Sequence, residues 1–239
     1  MATKSRASIA EQLNAAHIAI NNSIADEEIG RLIAPLGYHR AKLEEGRKLF
    51  EAAVAAVNAQ NAAEEDKRIA RARFLETEKL ARDAFQAFAQ AAKASFGRAM
   101  LASLGLTGPT PRATAGFLPT AYALFDNAIR LPEIQAKLGE LGYNADKLQK
   151  EKAKIAAYDL ANQAHETSKG KVQMATVQQN QVLDSLQEWI MQYLKIVKVA
   201  LREKKQLLEK LGITVLNTES STQSQASSPP VTVTQDTKV

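Results

Sequence analysis

Apolar residues recur along most of this chain at steps of three and four, the spacing that puts them on one face of an α-helix. They never form the short alternating runs that a strand needs. Two stretches carry the pattern most clearly: Ala81, Phe85, Phe88, Ala92, Ser95, Ala99 and Ala102, and then Leu186, Ile190, Tyr193, Val197, Ala200, Lys204, Leu207 and Leu211. Each predicts a helix with a single apolar seam. Boundary signals are equally local. Ser8-Ile-Ala-Glu11 has the form of a capping box, and Pro132 suits a first helical position. Leu36-Gly37-Tyr38 and Leu141-Gly142-Tyr143 each hold a glycine able to end a helix in the left-handed region, and Asn144 is placed to cap the next helix.

The two Leu-Gly-Tyr elements are 105 residues apart, and the match extends in both directions. Upstream, Ala16, Asn22, Ile24, Glu28 and Ile29 meet Ala121, Asn127, Ile129, Glu133 and Ile134; downstream, Lys42, Leu43, Ala52 and Ala56 meet Lys147, Leu148, Ala157 and Ala161. Leu104-Gly105-Leu106 and Leu211-Gly212-Ile213 close the two copies at a shift of 107, which predicts a short insertion between two long helices of the second copy. The copies run over about 5–108 and 112–213. Short helices followed by two long ones in each copy give the expected fold: an all-α, antiparallel four-long-helix bundle with pseudo-two-fold symmetry and shorter flanking helices. Residues 1–213 are expected to form one duplicated domain, with Trp189 and Tyr193 filling space opposite the alanine-rich seam. From residue 214 the chain is rich in Ser, Thr and Gln and holds Pro229-Pro230, so 214–239 is expected to be a disordered tail.

Composition adds constraints. Glycine (11) and proline (7) are scarce in 239 residues and cysteine is absent, which excludes disulfides and thiolate chemistry and fits a reducing compartment, the cytoplasm by default. Glu11, Gln12 and Asn14 interrupt the first twenty residues where a signal peptide would be apolar, and no transmembrane segment is expected. The net charge of +5 comes from 31 basic and 26 acidic residues interleaved along the chain, an ordinary solubility pattern.

The repeated Leu-Gly-Tyr element, Met174-Ala175-Thr176, Glu188-Trp189-Ile190 and the stretch Gln206-Leu207-Leu208-Glu209-Lys210-Leu211-Gly212-Ile213 together resemble a group of uncharacterised bacterial all-helical proteins of similar length. The resemblance spans about 25–213, implies a duplicated helical fold, and brings no activity and no functional residue with it.

Known bundle chemistries fail at their defining spacings. A carboxylate-bridged di-iron site needs Glu-x-x-His, but Asn14, Leu36 and Asn162 stand three residues before His17, His39 and His165. No phosphate-binding GxxxxGK[ST], no GxSxG and no HExxH occurs. The sequence therefore predicts no enzyme and no cofactor. Two polar features remain as candidates. Asp159 and Asn162 stand where copy one has Val54 and Val57, and with His165 and Glu166 they offer oxygen and imidazole donors for a metal or small polar ligand; a solvated hairpin tip explains the same residues. Lys195, Lys198, Arg202 and Lys205 recur at three, four and three along the last helix, and with Lys67, Arg68, Arg71 and Arg73 suggest contact with nucleic acid or anionic lipid; a solvated helix face explains them equally. Lys204, inside the second seam, marks either a snorkelling side chain or a subunit contact. The leading expectation is a structural or protein-interaction module that self-associates or holds a protein partner, with a nucleic-acid or membrane-surface binder and a metal-binding bundle as alternatives.

Overall fold

A computed structural model describes residues 8–213; the expectation of a disordered tail over 214–239 lies outside the described residues. The described chain is all-helical, with no strand. In order come α1 (Ile9–Ala25), α2 (Glu27–Ile33) with a 3-10 turn at Ala34–Leu36, α3 (Arg40–Ser95), α4 (Arg98–Ser103), α5 (Thr114–Arg130), α6 (Pro132–Glu140), α7 (Ala145–Ala200) and α8 (Lys205–Lys210).

The local signals sit where the sequence puts them. Ser8 caps α1 in a reciprocal box, its Oγ accepting from Glu11 N at 3.2 Å while its own N donates to Glu11 Oε2 at 2.7 Å. The Asn144 side chain accepts from Lys147 N at 2.9 Å at the start of α7, and His39 Nδ1 accepts from Lys42 N at 3.3 Å at the start of α3. Gly37 and Gly142 take φ of 90° and 76°, and the next residue turns its N–H back to a helical carbonyl, Tyr38 to Ile33 at 3.3 Å and Tyr143 to Leu138 at 2.9 Å. Gly105 and Gly212 end α4 and α8 in the same way. Such stops satisfy carbonyls that the last turn leaves open.

The long helices depart from expectation. Each copy holds one continuous helix of 56 residues, not two, so the described chain has two long helices where four were expected. The polar stretches between the expected pairs of long helices are themselves helical. Glu64-Glu65-Asp66-Lys67 is made of residues that tolerate helix well, and its ion pairs Glu64–Lys67 (2.5 Å) and Glu65–Arg68 (2.6 Å) join residues one turn apart. Gly170 is the one glycine in α7, and a lone glycine weakens a helix without ending it.

Elements of equal length recur at fixed spacing: α1 and α5 have 17 residues and start 105 apart, α3 and α7 have 56 and start 105 apart, and α4 and α8 have six and start 107 apart. The two extra residues therefore fall in the turn Leu201–Lys204 after α7, not between two long helices. The first seam stops early for a related reason. α3 ends at Ser95 and α4 begins at Arg98 after an N-cap at Gly97, so Ser95, Ala99 and Ala102 are exposed and Phe96 and Leu104 are buried instead.

The helices divide into two compact units. The first takes the chain up to Glu51 and from Ser185 onward, and the second takes Ala52–Asp184. Each unit thus combines the opening short helices of one copy with the closing turns of the other copy's long helix. In the first unit, Ile20, Ile29, Ile33, Tyr193, Val197 and Leu201 are almost wholly buried. Asn22 Nδ2 donates to the Lys210 carbonyl at 2.6 Å, and Asp26 caps α2 while accepting from Lys210 Nζ at 3.0 Å, tying α1 to α8. Gly46 lets Trp189 lie directly on α3, since a Cβ there would meet the indole ring at 2.4 Å.

The second unit is built on Phe85, Phe88, Phe117, Leu124, Phe125 and Tyr158, all at most 1% exposed. Arg82 pairs with Glu78 at 2.9 Å, donates to the Arg112 carbonyl at 2.6 Å and the Pro111 carbonyl at 3.4 Å, and lies 4.4 Å above the Phe117 ring. Here α3 and α7 run antiparallel, with Phe74 against His165 and Glu78 against Tyr158.

Candidate functional site

Asp159, His165 and Glu166 all lie on α7 in the second unit but do not converge. Asp159 accepts from Tyr122 Oη at 3.4 Å and from Gln163 Nε2 at 3.2 Å. Glu166 is exposed and closes on Lys169 at 2.7 Å, which holds its carboxyl below the usual range. His165 is 8% exposed and stacks on Phe74 with ring centroids 5.2 Å apart. Its Nδ1 is 4.0 Å from Glu166 Oε1, too far for a hydrogen bond. Among the described residues no three His, Asp or Glu side chains are grouped to hold a metal ion.

The basic residues near the end of the second copy do not share one helix. Lys195 and Lys198 sit on the last turns of α7, Arg202 in the turn that follows, and Lys205 at the start of α8. All four are exposed, and none forms an ion pair among the described residues. Lys204, read as part of the seam, is exposed and pairs with Glu28 on α2, so within this chain it closes the first unit on itself. Its place at the break, with φ of −120°, takes it out of helical phase. Lys67, Arg68, Arg71 and Arg73 belong to the other unit.

Two features of the second unit escape the sequence reading. One is an open cleft of about 580 Å³ between α3 and α7, lined on α3 by Glu64, Glu65, Lys67, Arg68 and Arg71 and on α7 by His165 and Lys169. The other is apolar. Leu160, Met174 and Val177 are 61%, 75% and 57% exposed on α7, and Ile69 and Leu75 are 56% and 50% exposed on α3. On α7 these three positions stand two residues on from Tyr158 and Val172, which are buried, and Ala175, which is partly buried. Two residues turn a helix by about 200°, so the apolar set faces away from the α3–α7 contact. Its spacing of 14 and 3 residues was readable as a second stripe behind the first.

No protein-family model matches this chain, and no curated protein or solved structure matches it either. No helix among the described residues is long and apolar enough to cross a membrane.

Proposed function

We propose that this chain is a non-enzymatic helical module, built from a tandem duplication, that works by offering the outer faces of its long helices to a protein partner, in the first instance a second copy of itself. The observation that carries this reading is the row Leu160, Met174 and Val177, three large apolar side chains more than half exposed along one face of a 56-residue helix. Single exposed apolar residues are ordinary, whereas an aligned set on a rigid element is the arrangement a partner helix covers. Two such chains side by side would supply the four long helices of a bundle.

The duplication is supported by the paired element lengths and by the recurrence of the same glycine stops. Absence of cysteine favours a reducing compartment such as the cytoplasm. A second reading rests on Lys195, Lys198, Arg202 and Lys205, whose charges are uncommitted and open to phosphate on nucleic acid or an anionic membrane surface.

Met174 gives a direct test. Its thioether should be oxidised rapidly by peroxide in dilute protein and be protected at high concentration, as its face becomes covered. Equal oxidation rates at both concentrations would argue against assembly through this face.

A further inference from the structure

The cleft between α3 and α7 in the second unit contains a charge arrangement that its own ion pairs leave incomplete. Glu64 and Glu65 are each taken by a cation one turn on, Lys67 at 2.5 Å and Arg68 at 2.6 Å, and Glu166 at the rim is taken by Lys169 at 2.7 Å. Arg71 lines the same cleft and meets no carboxylate among the described residues. Lys67, Arg68, Arg71 and Lys169 thus outnumber the three carboxylates, and the surplus cation is an arginine, whose planar fork suits two oxygens of one anion.

His165 lines the same cleft. It is 8% exposed, its ring is stacked on Phe74, and its backbone carbonyl already accepts from Ser168 Oγ at 2.7 Å. The imidazole nitrogens have no hydrogen-bond partner among the described residues, although His165 lines the cleft. These nitrogens reach solvent at the cleft, since Trp189 Nε1 is the one buried side-chain nitrogen or oxygen without a partner among the described residues, and a ring held by stacking can donate in only one plane. The companion position in copy one, Gln60, carries no such ring.

We propose that this cleft is a binding site for a phosphate-type oxyanion, held by the Arg71 guanidinium and by an N–H of the His165 imidazole, with Lys169 and Arg68 at its rim. The site lies apart from the apolar face argued above and does not depend on it.

The test is a titration of the full chain with inorganic phosphate, following the ring resonances of His17, His39 and His165 by NMR at constant pH and ionic strength. The site predicts a saturable shift at His165 alone, lost in Arg71→Gln while the helical circular dichroism of that exposed-residue variant is unchanged. His165→Gln should weaken phosphate binding severalfold, measured calorimetrically. A parallel titration with vesicles containing phosphatidic acid, against neutral vesicles, separates a lipid headgroup from a free phosphate; a saturable response to either carrier supports the site. No response at His165 to either probe, equal shifts at all three histidines, or a His165 response that persists in Arg71→Gln would overturn it.

Discussion

Tyr38 packs against Tyr193 with ring centroids 5.2 Å apart, and Tyr143, 105 residues after Tyr38, packs at 5.1 Å against Phe88, 105 residues before Tyr193. Both contacts join the tyrosine of a Leu-Gly-Tyr stop to the long helix of the other copy. The glycine turn aims the tyrosine, and the seam of the opposing helix receives it. One difference separates the two. Tyr193 carries a hydroxyl bonded to Ser23, whereas Phe88 has none and the companion of Ser23 is Ala128.

That difference makes the second unit a natural control for the first. Ser23 Oγ donates to the Ala19 carbonyl at 2.7 Å, so the Tyr193 hydroxyl must donate to Ser23. Tyr193→Phe leaves Ser23 bonded and should cost about 1 kcal/mol. Ser23→Ala strands a buried hydroxyl and should cost about 1 to 3 kcal/mol. The double variant, which recreates the apolar pair of the second unit, should be more stable than the sum of the two losses implies. Urea unfolding of the three variants measures this; strict additivity would contradict the pairing.

Burial pushes the Tyr193 hydroxyl up to about 12 from an ordinary value of 10.0. The folded chain then holds a proton that the unfolded chain releases first. Stability is therefore complete below about pH 10 and is lost as pH rises from there towards 12, by at most about 2 to 3 kcal/mol from this group. Tyr38, Tyr122, Tyr143 and Tyr158 are shifted in the same direction, chiefly by burial. Tyr193→Phe should accordingly flatten only part of the decline in urea midpoint across this range.

Two helical glycines should respond to alanine with opposite signs. At Gly46 a Cβ would sit 2.4 to 2.7 Å from three atoms of the Trp189 ring, an overlap that costs about 1 to 3 kcal/mol and outweighs the helix propensity gained. At Gly170 nothing lies within 4 Å, and Gly170→Ala should stabilise by about 0.5 to 1 kcal/mol. Thermal unfolding of both variants decides the matter. Stabilisation at Gly46 would mean that α3 and Trp189 are not in close contact.

The helix caps offer a smaller, local effect. Asn144→Ala removes the side-chain acceptor for Lys147 N and should lower stability by about 1 kcal/mol, while Asn144→Ser should retain most of it. Equal losses in the two variants would show that the cap contributes nothing through its oxygen.

Caps and glycine stops were legible in the sequence because each is decided within four or five residues. The helix count was not. Runs such as Glu64-Glu65-Asp66-Lys67 have the polarity of a loop but the propensity and one-turn charge spacing of a helix, and polarity alone cannot separate the two. Seam positions held along α3 at Ala81, Phe85, Phe88 and Ala92, and failed from Ser95, its last residue, onward, where the phase restarts. Lys204 failed for the same reason, at the break before α8. That Arg71 and His165 line one cleft depends on how α3 and α7 are aligned across nearly a hundred residues, which no local pattern records.

The most direct test of the account is the mass of the intact chain in solution, measured by light scattering after size exclusion at several concentrations and at low and high salt, beside the variant Met174→Glu/Val177→Glu. The account predicts a defined assembly free of nucleic acid, insensitive to salt, that dissociates on dilution and is shifted to monomer by the two charges without loss of helix. A monomer at every concentration, or an assembly that the variant leaves intact, would contradict it.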